Sequence, residues 1–150
     1  MAYVSVADLR ARLGAPLYAR LTDRAGGASA DDNVGQRIIE EAEAEVDALL
    51  APRYRTPLDL AAHPELAALL RARVLDLAEY FAWKSSPFVS DPPQRVKEIC
   101  AAARGWLAAV AAGGAALPAQ VTPAGPARED GAPRASSRPR VFTGVELDGL

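Results

Sequence analysis

The chain has 150 residues and a formal net charge of −2, with 17 lysines and arginines against 19 aspartates and glutamates. A length of this order predicts one domain, here followed by a tail. Domains whose main task is to neutralise nucleic-acid phosphates are usually basic, so the charge balance argues against that task, although it permits DNA to pass nearby. The sequence also holds no apolar run of the roughly 20 residues that a membrane-spanning helix needs.

Few residues are available for chemistry. The single cysteine, Cys100, lies within an apolar helical pattern, where a lone thiol is typical of a protein core or an interface. The single histidine, His63, lies in a predicted loop, and no phosphate-binding loop, zinc cluster or nucleophile–base motif accompanies it. We therefore expect no enzymatic activity, no cofactor and no metal. A single cysteine cannot form an internal disulfide, so the protein belongs in a reducing compartment or is indifferent to the redox state. The first segment is not expected to be a signal peptide, because it lacks a basic leader.

The first predicted helix covers residues 5–13. Ser5 is a good N-cap residue, and Asp8, three positions later, completes a variant of the capping box. The apolar residues of this helix lie on one of its faces. Gly14 and Pro16 are expected to end the helix.

Residues 17–21 are predicted to form a short buried turn, and the polar, glycine-containing stretch after them a loop. The loop faintly resembles a calcium-binding loop, because acids flank its glycines. Counted from Asp23, however, the third and fifth positions are Ala25 and Gly27, where an EF-hand requires oxygen-bearing side chains. We therefore expect the acids to cap the helix that follows rather than to bind a metal.

The second predicted helix, residues 33–51, has the clearest apolar periodicity in the chain, and Pro52 follows it directly. Its other face is acidic, with Arg37 as the one cation. Closely spaced carboxylates serve in catalysis or metal binding only with histidine partners or a pocket, so a solvated face is the simpler interpretation. The acidic residues of this face are Glu40, Glu41, Glu43, Glu45 and Asp47.

Arg53 and Tyr54 lie in a loop between two prolines, Pro52 and Pro57. A planar cation and an amphipathic ring in such a place favour a structural role. The guanidinium would hydrogen-bond loop carbonyls, and the ring would pack on the helices on either side. A role in contacts between subunits is the alternative, and the residues alone do not decide between the two.

Two further helices are predicted at residues 64–84 and 92–112. Asp91 is expected to cap the second of them, and Gly113 to close it. The sequence therefore predicts an all-α fold, in which residues 1–114 form a small bundle of four amphipathic helices.

The remaining residues lack helical periodicity. Residues 115–138 are rich in proline, alanine and glycine and predict a flexible linker. The last segment, residues 139–150, returns to apolar, strand-favouring residues. We expect it to be an extended docking arm that adds a strand to a partner, with plain disorder as the alternative. The residues predicted to bind are Arg140, Val141, Phe142, Val145 and Leu147.

Five short motifs follow one another in a fixed order along the chain. They are Tyr3 to Leu9, Leu21-Thr22-Asp23, residues 42–50 with Val46-Asp47, Arg53-Tyr54 with Pro57-Leu58, and Arg140-Val141-Phe142. In this order and spacing they resemble the head–tail connector proteins of tailed phages, the adaptor or neck proteins of the Mu-like prophage type. The resemblance covers nearly the whole chain. It departs from the family pattern in the loop after Asp23, which lacks the usual internal acids, and at Leu49, where an aromatic is frequent.

The resemblance implies a helical subunit of a dodecameric ring that lies beneath the portal, extends the DNA channel and joins head to tail. The implied partners are further copies of the chain, the portal protein and stopper or tail proteins. DNA passes through without specific binding, and no membrane is involved. The protein would be cytoplasmic during assembly and then part of the virion or phage-like particle, with its arm on the portal or on a neighbouring subunit.

The ring gives the acidic face of the second predicted helix a possible use. Glu41 and Glu45 are predicted to line the channel or its rim, because carboxylates there repel phosphates and keep DNA from sticking. Two other functions share parts of the pattern. A tail-completion or stopper ring shares most of its features, whereas a small helical DNA-binding or regulatory module fits less well, since no helix carries a basic face.

Overall fold

A computed structural model of the protein describes residues 3–26, 28–89, 91–115 and 117. Within these residues the fold is all-α, as predicted, but the bundle has five helices instead of four. The predicted linker and docking arm lie outside the described residues, except for Ala115 and Leu117. The helices are α1 (Val6–Leu13), α2 (Ala15–Thr22), α3 (Asp32–Leu50), α4 (Pro64–Ser85) and α5 (Gln94–Ala112).

The additional helix is α2, where a short buried turn was predicted. Gly14 ends α1 and is at the same time the N-cap of α2, with a φ of 78° that favours glycine. Pro16 lies in the first turn of α2, where a missing N–H costs nothing and a fixed φ suits the helix. Pro16 therefore begins a helix here. The predicted capping box of Ser5 and Asp8 is present at the start of α1.

The helix starts follow the local chemistry of each loop. Asp31 caps α3, as its Oδ1 accepts hydrogen bonds from the backbone N–H groups of Asn33 (2.9 Å) and Val34 (3.3 Å). The cap predicted for Asp91 is wrong, because Pro93 is the N-cap of α5 and holds an extended conformation. The Asp91 carboxylate instead pairs with the Lys97 ammonium at 2.7 Å.

Helices α3 and α4 form the centre of the bundle, and each of them contacts all four other helices. The three long helices pack against one another, and α1 and α2 lie against α3 and α4. Cys100 is buried in this core, as predicted. None of the helices in the described part of the chain combines the length and apolarity that crossing a bilayer requires. Fully buried core residues include Leu9, Leu21, Ile39, Val46, Leu50, Leu66, Leu70, Leu77 and Leu107.

A buried acid connects α1 to α4. Asp76 in α4 is 8 % exposed and lies 2.8 Å from Arg12 Nη2 of α1 and 3.2 Å from Arg73 Nη1 of its own helix. Arg12 Nε also reaches Glu79 Oε2 at 3.0 Å. A buried carboxylate is tolerated only when it is paired and hydrogen-bonded in this way, so the pairing fixes the position of α1 on α4.

Gly35 lets the ring of Tyr18 lie directly against α3. Tyr18 is fully buried, and its Oη donates a hydrogen bond to Asp32 Oδ1 at 3.0 Å. A Cβ atom added at Gly35 would stand 2.1 Å from that Oη and 3.0 Å from Cζ of the same ring. The absence of a side chain at this position is therefore what allows α2 and α3 to pack.

Replacing Gly35 with alanine should lower the free energy of unfolding by about 1–3 kcal/mol, because the buried Tyr18 ring has to move. The effect opposes the helix propensity of alanine, which alone favours the helix by about 1 kcal/mol. Gly105→Ala is the matched control, since Gly105 lies within α5 and a Cβ there meets nothing within 4 Å. Urea denaturation measures both variants. Equal effects of the two substitutions would contradict the packing argument.

Candidate functional site

Three of the motifs that carry the family resemblance meet at the side chain of Tyr3. Tyr3 is 2 % exposed, although it precedes the first helix. Its Oη donates a hydrogen bond to Asp47 Oδ1 of α3 (2.5 Å) and accepts one from the backbone N–H of Leu58 (2.7 Å). One hydroxyl thus joins the segment before α1, the end of α3 and the loop that leads to α4.

The backbone around Tyr3 is held as firmly as its side chain. Glu43 Oε1 accepts hydrogen bonds from the N–H groups of Tyr3 (2.5 Å) and Val4 (3.1 Å). On the other side, Arg71 Nε of α4 donates to the carbonyl of Tyr3 at 3.2 Å. We call these residues, with Asp47, the Tyr3 clasp. It fixes the N-terminal segment onto α3 and α4.

The electrostatics of the Tyr3 clasp keep the proton on the phenol. Burial, reinforced by the hydrogen bond to Asp47, raises the pKa of Tyr3 well above its ordinary value. Burial also raises the pKa of Asp47, against the opposing effect of the hydrogen bond from Tyr3. Since both groups are desolvated, the neutral phenol with a single charged carboxylate is the favoured state near neutral pH. The clasp therefore acts as a structural lock between the N-terminal segment and the two long helices.

Fewer acidic residues of α3 are free of partners than the sequence suggested. Glu43 and Asp47 belong to the Tyr3 clasp, and Glu45 pairs with the Arg104 guanidinium of α5, with Nη2 and Oε2 2.9 Å apart. Glu40 and Glu41 are exposed. The two residues predicted to line a channel are thus placed differently: Glu41 faces solvent, whereas Glu45 lies against α5.

The loop after α2 is organised by the carboxylate of Asp23. Oδ1 accepts hydrogen bonds from the N–H groups of Ala25 (2.7 Å) and Gly26 (3.3 Å), and Oδ2 accepts from those of Ala28 and Ser29 (both 2.9 Å). These bonds hold the pKa of Asp23 far below its ordinary value. In the part of the chain that the structure describes, no cluster of three His, Cys, Asp or Glu side chains could hold a metal ion.

Asp23→Asn should lower the melting temperature at pH 7, because an amide nitrogen cannot accept the N–H groups that one carboxylate oxygen accepts. The folded pKa of Asp23 is depressed, so its contribution to stability is present above about pH 4 and is lost as the pH falls below that value. The difference in melting temperature between the two proteins should therefore shrink from pH 7 to pH 2.5.

Asp59→Asn is the matched control for this prediction. Asp59 Oδ1 caps an exposed turn through the N–H groups of Ala61 (2.9 Å) and Ala62 (3.3 Å), with no bonds to its second oxygen among the described residues. We expect a smaller loss of melting temperature at pH 7 in this variant. A difference for Asp23→Asn that stays constant down to pH 2.5 would contradict the role given to the carboxylate.

Arg53 and Tyr54 lie at the place where the chain leaves the bundle. Arg53 Nη1 donates a hydrogen bond to the carbonyl of Val110 at 3.0 Å, and the guanidinium lies 5.4 Å from the centre of the Tyr54 ring. The acceptor thus belongs to the last turn of α5 and not to a loop. The positive charge of Arg53 also lies at the C-terminal end of α5, where it interacts favourably with the negative end of the helix dipole. Tyr54 is 7 % exposed and belongs to the core cluster.

Gly113 closes α5 in a left-handed conformation (φ 84°), as predicted, and Leu117 folds back into the core. A Cβ at Gly113 would lie 3.0 Å from Arg53 Nη1, so the cap and the guanidinium fit closely. The predicted binding residues of the docking arm, Arg140, Val141, Phe142, Val145 and Leu147, lie outside the described residues. The structure therefore describes the start of the tail, as far as Leu117.

Three features of the structure are not evident from the sequence. Tyr3 belongs to one of the motifs, but its place two residues before the N-cap Ser5 does not indicate that its hydroxyl joins three segments. Asp76 was not singled out, although it is an acid within the apolar stripe of α4, next to Leu77. Phe88, in the loop between α4 and α5, is the remaining feature, as a large apolar residue that is 44 % exposed.

No curated protein matches the chain. A protein family described as "Bacteriophage Mu, Gp36" matches residues 3–135, which include all five helices and most of the predicted linker and end before the predicted docking arm. The match begins at Tyr3, the residue on which the clasp is built. Because it covers most of the chain, the protein belongs to the Bacteriophage Mu Gp36 family of phage proteins.

Proposed function

We propose that the protein is a head–tail connector, an adaptor subunit that forms a ring beneath the portal, extends the DNA channel and joins head to tail. The observation that carries the proposal is the family match over residues 3–135, since a phage protein of this size without a catalytic motif is most readily a structural component of the particle. The order of the five sequence motifs supports the choice of a connector among such components.

The architecture supports a building block that keeps its shape. The Tyr3 clasp and the Arg12–Asp76 pair fix the short helices onto the long ones, so the bundle presents one rigid surface. Rigid partners lose little entropy when they associate, and this favours assembly into a closed ring. The number of subunits, twelve in the resembling family, belongs to the proposal.

The charge distribution favours a protein through which DNA passes over a protein that binds DNA. Glu40 and Glu41 are exposed on α3, and neither lies within ion-pairing distance of a cation in the described residues. We propose that Glu41 faces the channel, where its charge repels phosphates. Glu45 contributes less in this respect, because Arg104 already neutralises it.

Deletion of the gene with complementation tests the proposal. A lysate without the protein should contain heads filled with DNA, or heads that have lost it, together with complete but unattached tails. Purified protein added to that lysate should restore joined particles. Heads and tails that join normally without the protein would contradict the connector role. Joined particles that leak DNA would indicate a stopper, and heads with tails that are themselves unfinished would indicate a tail-completion protein.

A gel-mobility assay tests the remaining alternative, a DNA-binding or regulatory module. At low salt, a DNA-binding or regulatory module retards duplex DNA strongly, since such binding is dominated by phosphate contacts. The connector subunit proposed here should leave the mobility of the DNA unchanged at micromolar protein. A discrete shifted complex that favours one sequence would contradict the proposal.

A further inference from the structure

The loop between α4 and α5 presents an apolar side chain on a fixed base. Phe88 is 44 % exposed. Its backbone N–H donates to Ser86 Oγ at 3.4 Å, and Ser86 Oγ donates to the carbonyl of Arg20 in α2 at 3.5 Å. Proline residues at 87, 92 and 93 restrict the same loop. The loop is therefore constrained in a conformation that leaves much of the Phe88 ring in water, which is costly for a large apolar side chain.

Exposed cations stand on the elements that meet at this loop. Lys84 is in the last turn of α4, and Arg24 follows α2 and donates hydrogen bonds to the carbonyl and, at 3.4 Å, to the hydroxyl of Ser85. Arg20 and Arg95 are exposed at the end of α2 and the start of α5. None of these four forms an ion pair among the described residues. The Phe88 surface consists of Phe88, Arg20, Arg24, Lys84 and Arg95.

The positive charge of Arg95 does not stabilise α5, the helix to which it belongs. It lies in the first turn of α5, where no acidic residue is present. A cation at the positive end of the helix dipole is unfavourable, so α5 would be more stable with an acid there. The positive charge is explained more simply by a partner that is acidic.

A surface that combines an apolar ring with cations fits a peptide that alternates apolar and acidic residues. Residues 145–148 of the same chain, Val-Glu-Leu-Asp, have this alternation, so one short segment supplies apolar side chains for the ring and carboxylates for the cations around it. We propose that residues 145–150 of one subunit dock on the Phe88 surface of the next copy. The inference rests on the ring of the proposed function, which supplies that copy.

The length of the tail allows this contact. Leu117 and Val145 are 28 positions apart (145 minus 117), and a flexible chain of that length has a mean reach of roughly 30 Å. Helix α5 has 19 residues, which corresponds to roughly 28 Å, and the tail leaves from the end of α5 opposite to Phe88. A contact of one tail with the next subunit joins two different surfaces, as a closed ring requires.

Disulfide trapping between full-length chains tests the proposal. Chains with Ser85→Cys and chains with Gly149→Cys, of different mass, are mixed and mildly oxidised, while the buried Cys100 stays in place. Ser85 is exposed beside the Phe88 surface, so both substitutions keep Phe88 and Leu147. Ala62→Cys replaces Ser85→Cys as the control, since Ala62 is exposed in the loop before α4. The 85–149 disulfide between chains should exceed the 62–149 disulfide by about tenfold, because docking raises the effective concentration of the thiols.

A charge reversal tests the same contact without weakening the fold. Arg95→Glu should reduce the trapping about tenfold and leave the melting temperature unchanged or higher, and Asp148→Arg in the other chain should restore the trapping. Trapping that is equal at positions 62 and 85, or that Asp148→Arg does not restore, would overturn the proposal. So would a disulfide that forms only when both cysteines are in one chain.

Purified portal protein and duplex DNA, added separately, identify other occupants. Binding of either one to the wild type that Phe88→Ser and Arg95→Glu abolish, without trapping of the tail, would also overturn the proposal. The trapping uses this protein alone, whereas the complementation assay uses heads and tails. Failure of the trapping with successful complementation would therefore reject the docking surface and leave the connector role in place.

Discussion

Tyr3→Ala should lower the free energy of unfolding by about 3–5 kcal/mol, the usual cost of removing a large buried aromatic. The substitution empties a buried position and also leaves the Asp47 carboxylate and the Leu58 N–H without the hydroxyl that joins them. Tyr3→Phe keeps the ring and removes only the hydroxyl, so it should cost about 1–3 kcal/mol. Urea denaturation at pH 7 measures both variants.

A double-mutant cycle separates the clasp from simple packing. If Tyr3 and Asp47 act through their shared hydrogen bond, Tyr3→Phe and Asp47→Asn should show a coupling energy of about 0.5–3 kcal/mol. Ser5→Ala is a control that affects the same segment through the capping box only, and it should act additively with Asp47→Asn. Strict additivity of Tyr3→Phe and Asp47→Asn would contradict the clasp.

The pH dependence of the clasp has a definite sign. The folded pKa of Tyr3 is raised, so its contribution to stability is present below about pH 10 and is lost as the pH rises through the folded value. The wild type should therefore lose part of its advantage over Tyr3→Phe between pH 10 and pH 11. Tyr18, whose pKa burial raises to about 12, contributes in the same direction in both proteins and cancels in the comparison.

Removal of residues 139–150, or Phe142→Ala alone, should abolish attachment of the protein to particles and leave its melting temperature unchanged. Phe142 is the largest apolar side chain of the predicted arm, and burying it contributes roughly 1.5–3 kcal/mol per arm. That is small for one subunit. In a ring, however, the later arms bind at a high effective concentration, so loss from every subunit has a large effect.

Co-sedimentation with tail-less heads measures attachment for both variants. Thr122→Ala, in the predicted linker, is the control and should behave as the wild type. Normal joining of heads and tails by the truncated protein would contradict the docking arm. A large drop in the melting temperature on truncation would do the same, because the segment would then be part of the folded core.

The helices were predictable where the sequence repeats the helical period over several turns. The apolar spacing from Val34 to Leu50 places α3 within one residue at each end. The sequence does not predict α2, because this helix has only 8 residues and because Pro16 resembles an end signal for α1. Proline ends a helix when it lies inside one and begins one when it lies in the first turn, and only the preceding Gly14 distinguishes the two cases here.

The candidate site was less predictable, because its contacts join residues far apart in the sequence. Glu43, Glu45 and Asp47 look like one acidic face when α3 is considered alone. Their partners, Tyr3 and Arg104, come from the chain before α1 and from α5. These acids are therefore paired within the bundle, and the helical periodicity of α3 alone cannot predict such pairs. The motif order did point to Tyr3 and Asp47, but without the hydrogen bond that joins them.

Electron cryomicroscopy of the particle neck tests the connector role most directly. The account predicts a ring of five-helix bundles immediately beneath the portal, with α3 placed so that Glu41 faces the DNA channel. A neck in which the portal contacts other proteins directly, with this bundle found elsewhere in the particle or missing from it, would contradict the account.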